Sequence, residues 1–239
     1  MSMAFLQSSP AREPFLKAPA SVITLIGILI AAHAARVLAP AALSEHWVTE
    51  YAFIPLRYSS HAADAGSVFD RAIPFVSYMF LHADATHVII NCLWLLAFGT
   101  IVARRFRPAL FFLFFLTCGV AAALTHLAFN WNSADPVIGA SGGIAGLMAA
   151  GVRMLSVTAL QRAELPPRLL SIFAPQVLMF SALWVGVNLL FGLTGISFAG
   201  ESNAIAWQAH LGGYFVGLLL AGPFDVWATR TDRNPAPLA

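Results

Sequence analysis

Charge is what this 239-residue chain has least of: 13 Lys and Arg and 11 Asp and Glu make up only 10% of it. A soluble domain carries about 25% charged residues, so that shortage excludes an ordinary water-soluble globule. Cysteine is nearly absent as well. Cys92 and Cys118 both fall in apolar runs, too few for a disulfide framework, and read as small core residues. No His-Glu-x-x-His motif and no Cys/His cluster with zinc spacing occurs, so neither a metal nor another cofactor is expected. The net charge of +2 and the loops point to no nucleic acid partner. Internal repeats are missing too, which argues against a transporter built from repeated halves with broken helices. What remains is 59% hydrophobic residues and a mean hydropathy of +0.77, the composition of an integral membrane protein.

Six apolar stretches are candidate spans, at 20–39, 87–103, 109–131, 141–158, 174–195 and 206–228. A crossing needs about 20 apolar residues for about 30 Å of hydrocarbon; the fourth stretch is short and glycine-rich, the weakest by hydropathy. Basic residues cluster on one side: Arg12 and Lys17 before the first span, Arg104, Arg105 and Arg107 after the second, Arg153, Arg162 and Arg168 after the fourth, Arg230 and Arg233 after the sixth. The opposite loops hold Glu45, Glu50, Asp64, Asp70, Asp84, Asp135 and Glu201 with only Arg57 and Arg71. The excess of Lys and Arg puts both termini in the cytoplasm. The first apolar run reads as a span rather than a removable leader, because a long segment containing Pro10 and Pro14 precedes it. Residues 40–86 mix Trp47, Tyr51, Phe53, Ile54, Leu56 and Tyr58 with few charges, the composition of a structured external loop partly in the interface. The expected fold class is an all-α polytopic membrane protein, a six-transmembrane-helix bundle with a structured external loop between helices 1 and 2. The expected organisation is a cytoplasmic segment 1–19, one six-helix domain 20–228 and a cytoplasmic tail 229–239.

Three motifs carry hydrogen-bonding or nucleophilic groups into these spans: His87-Val-Ile-Ile-Asn91, Gly139-Ala-Ser141-Gly142 and Ala209-His210-Leu-Gly-Gly213. Polar groups inside a bilayer are costly and therefore functional suspects. Spans two, four and six run in the same direction, so depth can be counted along them. Asn91 lies 13 residues before Arg104, Ser141 12 before Arg153, and His210 13 before Pro223, taken as the helix end. At 1.5 Å per residue the three sit in one layer about 10 Å below the external surface. Asp135-Pro-Val-Ile-Gly139 reads as loop, which sets Ser141 at a helix start beside unpaired backbone N–H groups able to stabilise an oxyanion. Gly142, Gly143 and Gly146 on the fourth span and Gly213 and Gly217 on the sixth permit close helix contact, bringing His210 within reach of Ser141 as a general base. His87 and Asn91, four apart, share a helical face and can both donate to an oxyanion hole. Singly, each motif has a structural reading as helix packing or interhelical hydrogen bonding; jointly, at one depth, they point to a serine hydrolase. His33, His46, His61 and His126 have no partner at useful spacing, and His82 and His87 are separated by a loop, Ala83-Asp-Ala-Thr86.

With Phe80-Leu-His82 before the first of these motifs, the chain resembles a rhomboid intramembrane serine protease of the bacterial six-helix type, from the first span to the sixth. The resemblance implies a Ser–His dyad, with Ser141 as nucleophile and His210 as base and acid. It implies an oxyanion hole of His87, Asn91 and the Ser141 backbone N–H, with Gly139 shaping the preceding turn, Gly142 and Gly213 at the helix contacts, and His82 supporting the external loop. It further implies a capping loop over 196–205, a fifth span flanking lateral substrate access, membrane proteins cleaved in or near their transmembrane segments as substrates, and a bacterial inner membrane location. Three positions depart from the pattern. Ala145 replaces a tyrosine that stacks on the catalytic histidine in many members, Ile73-Pro74 stands in place of a loop Trp-Arg pair, and Ala103 replaces a glutamate after the second span. The rival within the same fold is a catalytically inactive rhomboid-like protein that binds transmembrane clients without cutting them.

Overall fold

A computed structural model describes residues 18–59, 67–155, 168–194 and 206–232. The loop expected over 196–205, most of segments 1–19 and 229–239, and Arg12, Lys17, His61, Asp64, Arg162, Glu201 and Arg233 lie outside them. Helix α1 is Ala20–Leu38, entered after Pro19 and closed before Pro40. Short helices α2 (Ala41–Tyr51), α3 (Val68–Ala72) and α4 (Pro74–Ser77) follow. The long α5 spans Ala85–Ala103, with a π-helical turn at Leu95–Gly99. Then come α6 (Pro108–Phe129), α7 (Ser141–Met154), α8 (Pro175–Thr194) and α9 (Trp207–Asp232). No named strand occurs among the described residues; one isolated antiparallel bridge joins Phe53 to Val137.

Among the described residues, five helices are long and apolar enough to cross a membrane: α1, α5, α6, α8 and the Trp207–Thr229 part of α9. The stretch expected over 141–158 is α7, 14 residues long, or about 21 Å at 1.5 Å per residue. It is nevertheless the centre of the molecule. Every residue of it except Ser141 and Arg153 is buried, and it packs on α5, α6 and α9. Its glycine and alanine content depresses hydropathy because this helix meets other helices rather than lipid, and small residues are what let membrane helices approach closely.

Those approaches involve backbone. A Cβ on Gly213 would lie 2.0 Å from the Gly142 carbonyl oxygen, and one on Gly217 would lie 2.4 Å from the Gly146 Cα. Two glycine pairs, one turn apart, thus join α7 to α9. On the α6 side, a Cβ on Gly143 would meet the Phe115 ring at 2.6 Å and one on Gly146 would meet the Cys118 Sγ at 2.3 Å. Phe111, Phe114 and Phe115 of α6 are fully buried and fill the core around this contact.

Two expectations about the end of the bundle away from Ser141 change. Pro223 does not end the last helix, which continues to Asp232. A proline removes one helical N–H and so frees the carbonyl four residues back, that of Leu219, a loss that a membrane helix tolerates; one residue earlier, Arg153 Nη1 donates to the Leu218 carbonyl at 2.7 Å. Arg153 also donates from Nε to the Leu170 carbonyl, so from the last turn of α7 it ties that helix to α9 and to the segment before α8 instead of standing in a loop. Arg105 and Asp225 form an ion pair that ties α5 to α9 at the same end.

Candidate active site

The segment leading to Ser141 is held by the region between α1 and α5. Phe53 and Val137 exchange backbone hydrogen bonds of 3.0 and 2.8 Å, and the Gly139 N–H donates to the Tyr78 carbonyl at 2.9 Å. The Phe53 ring is buried against Tyr58, Phe75 and Tyr78. Gly139 has φ of 121°, a conformation open to glycine and strained for other residues. From there the chain enters α7 with Ser141 as its first residue.

Ser141 Oγ lies 2.8 Å from His210 Nε2, on α9. The glycine contact one residue after Ser141 and one turn after His210 sets this distance, since α7 and α9 can approach no closer. The second imidazole nitrogen is also engaged: His210 Nδ1 is 2.9 Å from Asn188 Oδ1, on α8. Asn188 Nδ2 in turn donates to the Trp184 carbonyl at 2.9 Å. Asn188 was not among the residues singled out from the sequence, although a lone asparagine in Val185-Gly-Val-Asn-Leu-Leu190 is a polar group in an apolar span and so carried the signal.

His87 and Asn91 stand on α5, capped by Asp84, whose carboxylate accepts from the His87 backbone N–H at 2.8 Å. Asn91 is buried and donates one amide hydrogen to the His87 carbonyl at 2.9 Å, which leaves its second N–H to be directed elsewhere. A Cβ on Gly139 would lie 2.7 Å from His87 Nε2 and 3.8 Å from Ser141 Oγ. The missing side chain therefore keeps open the space between imidazole and hydroxyl. His82 is fully buried, its ring edge-on to His87 with centroids 5.1 Å apart. Burial pushes its imidazole down to about 3, with His87 and His33 adding to the effect. The carbonyls of His82 and Ala83 accept from Arg36 Nη2 on α1, fixing the turn that launches α5. No group of three or more His, Cys, Asp or Glu among the described residues is arranged to hold a metal.

Of the three departures, Ala145 has a structural counterpart. It is buried beside Tyr214 and Ala149, with Trp184 packed on the same cluster. Trp184 stacks on Tyr214 at 4.4 Å and 15°, and its ring lies 6.5 Å from that of His210. The small side chain at 145 thus accompanies a tyrosine one turn after His210, and His210 is held by Asn188 rather than by a stacked ring from α7. Ile73-Pro74 forms the junction of α3 and α4, and Ala103 ends α5.

These helices define an integral, multi-pass membrane protein whose core carries a hydrogen-bonded serine–histidine pair. The rhomboid-domain family model matches residues 70–224, from α3 into α9. The chain belongs to the rhomboid family, whose members are in general intramembrane serine proteases. A search of curated proteins finds no match.

Proposed function

We propose that this chain is an intramembrane serine endopeptidase that hydrolyses peptide bonds in or near the transmembrane segments of membrane proteins, its partners being those substrates and the bilayer. The observation that carries the reading is the 2.8 Å contact between Ser141 Oγ and His210 Nε2 at the start of a buried helix. Ser141 Oγ attacks the scissile carbonyl carbon as its proton passes to His210 Nε2. The oxyanion is stabilised by His87, by the second amide N–H of Asn91 and by the Ser141 backbone N–H, beside the gap that Gly139 leaves open. The tetrahedral intermediate collapses as His210 gives the proton to the leaving amine. Water, activated by the same imidazole, then hydrolyses the acyl ester and restores the serine.

The six-span topology, with α7 as the short fourth helix in the middle of the bundle, belongs to the same proposal, as do cytoplasmic termini and a bacterial inner membrane. Burial of α7 among protein rather than lipid supports counting it with the five apolar helices.

The test is cleavage of a single-span reporter substrate in liposomes by wild type, Ser141→Ala and His210→Ala, with labelling by a serine-reactive phosphonate. Cleavage and labelling by wild type, abolished in the serine variant, is the expected result. An inert, unlabelled wild type that still binds the reporter refutes the protease and leaves the client-binding protein in its place.

A further inference from the structure

A histidine can act as a base toward Ser141 only if Nε2 is unprotonated and aimed at Oγ. The structure contains a device that fixes both, in three links. The Trp184 carbonyl can only accept, so the Asn188 group facing it at 2.9 Å must be the amide nitrogen. The other end of the amide, Oδ1, therefore faces His210 Nδ1 at 2.9 Å. An oxygen that only accepts requires Nδ1 to carry the hydrogen, which leaves Nε2 as the acceptor for the Ser141 hydroxyl, 2.8 Å away. Asn188 is itself buried, although α8 buries only Val177 and Asn188.

We propose that Asn188 is the positioning residue of the His210 base, fixing its tautomer and ring plane from a neighbouring helix. The inference rests on the serine-protease reading of the site and extends it. The same face of α8 carries two further ties to α9: Ser181 Oγ lies 2.8 Å from Tyr214 Oη, and Trp184 stacks on Tyr214. Residues 181, 184 and 188 thus meet 210 and 214 along one seam. Orientation of the base and docking of α8 are consequently one event: His210 is a competent base while α8 lies against α9 and loses its orienting partner when it does not. A base supplied with its partner from the same helix would lack this dependence.

The experiment uses full-length protein in detergent micelles and liposomes with the single-span reporter. Asn188→Leu keeps the side-chain size, removes the acceptor and suits an apolar span. Asn188→Asp restores an acceptor for Nδ1–H and adds a charge beside it. Asn188 touches no atom of the reacting serine, so the Leu variant is expected to lose kcat by about 10- to 100-fold, a share of what a positioned general base contributes, with KM within about twofold. The Asp variant is expected to recover most of that loss and to move the acid limb of the kcat/KM profile to higher pH, because a carboxylate favours the protonated imidazole. The charged forms that bear on His210 are those of His87 on α5 and His126 on α6, and Tyr214 stands one turn further along α9; all three are untouched by these changes.

A second readout does not depend on turnover. In 15N-histidine spectra, with His210→Ala giving the assignment, wild type should show His210 with a protonated Nδ1 and a bare Nε2, and Asn188→Leu should lose that single-tautomer signature. Folding is checked by thermal unfolding, and Asn188→Ala replaces the Leu variant if the latter does not fold. The proposal is overturned by a folded Leu variant with kcat within threefold of wild type, by an Asp variant as impaired as Leu with an unmoved acid limb, or by an unchanged tautomer. If wild type itself proves inert, the protease reading has failed and the spectra alone decide whether Asn188 orients His210.

Discussion

Adding one methyl group at Gly213 should separate the serine from the histidine. A Cβ there would sit 2.0 Å from the Gly142 carbonyl oxygen and 2.8 Å from the Gly142 carbonyl carbon. Both are backbone atoms of α7 and have no rotamer to escape into. Restoring ordinary contact at 3.4 Å requires α9 to move from α7 by roughly 1.4 Å. Ser141 immediately precedes Gly142 and His210 lies one turn before Gly213, so the displacement falls on the Ser141–His210 contact. Opened from 2.8 Å to as much as about 4 Å, that contact leaves hydrogen-bond range. A misplacement of about 1 Å costs about 100-fold in rate, or about 2.7 kcal/mol of barrier. The assay is initial cleavage rate of the single-span reporter in liposomes by Gly213→Ala, with thermal unfolding in detergent alongside. Gly186→Ala is the control: that glycine lies on the exposed side of α8 with nothing within 4 Å of a built Cβ, and it should match wild type. A folded Gly213→Ala protein with kcat within threefold of wild type would refute the claim that this glycine contact sets the catalytic distance.

Two further outcomes are expected. His87→Ala and Asn91→Ala should each lower kcat by about 10²- to 10³-fold with little change in KM, the usual cost of one oxyanion donor; equal losses in KM instead would assign them to substrate binding. For His82, the native state holds the imidazole neutral down to about 3 while the unfolded chain protonates near 6.5, so between those values the unfolded state binds more protons. Stability contributed by this burial is full above about 6.5 and declines as pH falls toward 3, by at most about 1.4 kcal/mol per pH unit. Unfolding midpoints of wild type and His82→Leu across pH 4 to 7 check this: the gap should change in that direction, and parallel curves would show that His82 is not buried neutral.

The membrane class and the helical architecture were written in composition, because the bilayer permits few solutions to an apolar chain with so little charge. The long spans were legible to within a few residues at most ends for the same reason. Local pattern went astray where neighbours decide. Pro223 reads as a helix stop, yet the helix passes through it to Asp232. The π-helical turn at Leu95–Gly99 had no mark in the sequence.

By itself the sequence determined which reactive groups exist and how far along its own helix each lies, since residue counts translate directly into distance along a helix axis. It marked the glycines as well, because in lipid only small residues allow backbones to touch. Only the tertiary structure decided which groups meet: that Gly142 and Gly213 set Ser141 against His210, that Gly139 leaves a gap facing His87, and that a third helix supplies Asn188 to the far side of the imidazole. Depth is a property of one helix, whereas facing is a relation between the rotations of two. A hydrogen bond of 2.9 Å depends on those rotations, which are fixed by packing across the whole bundle.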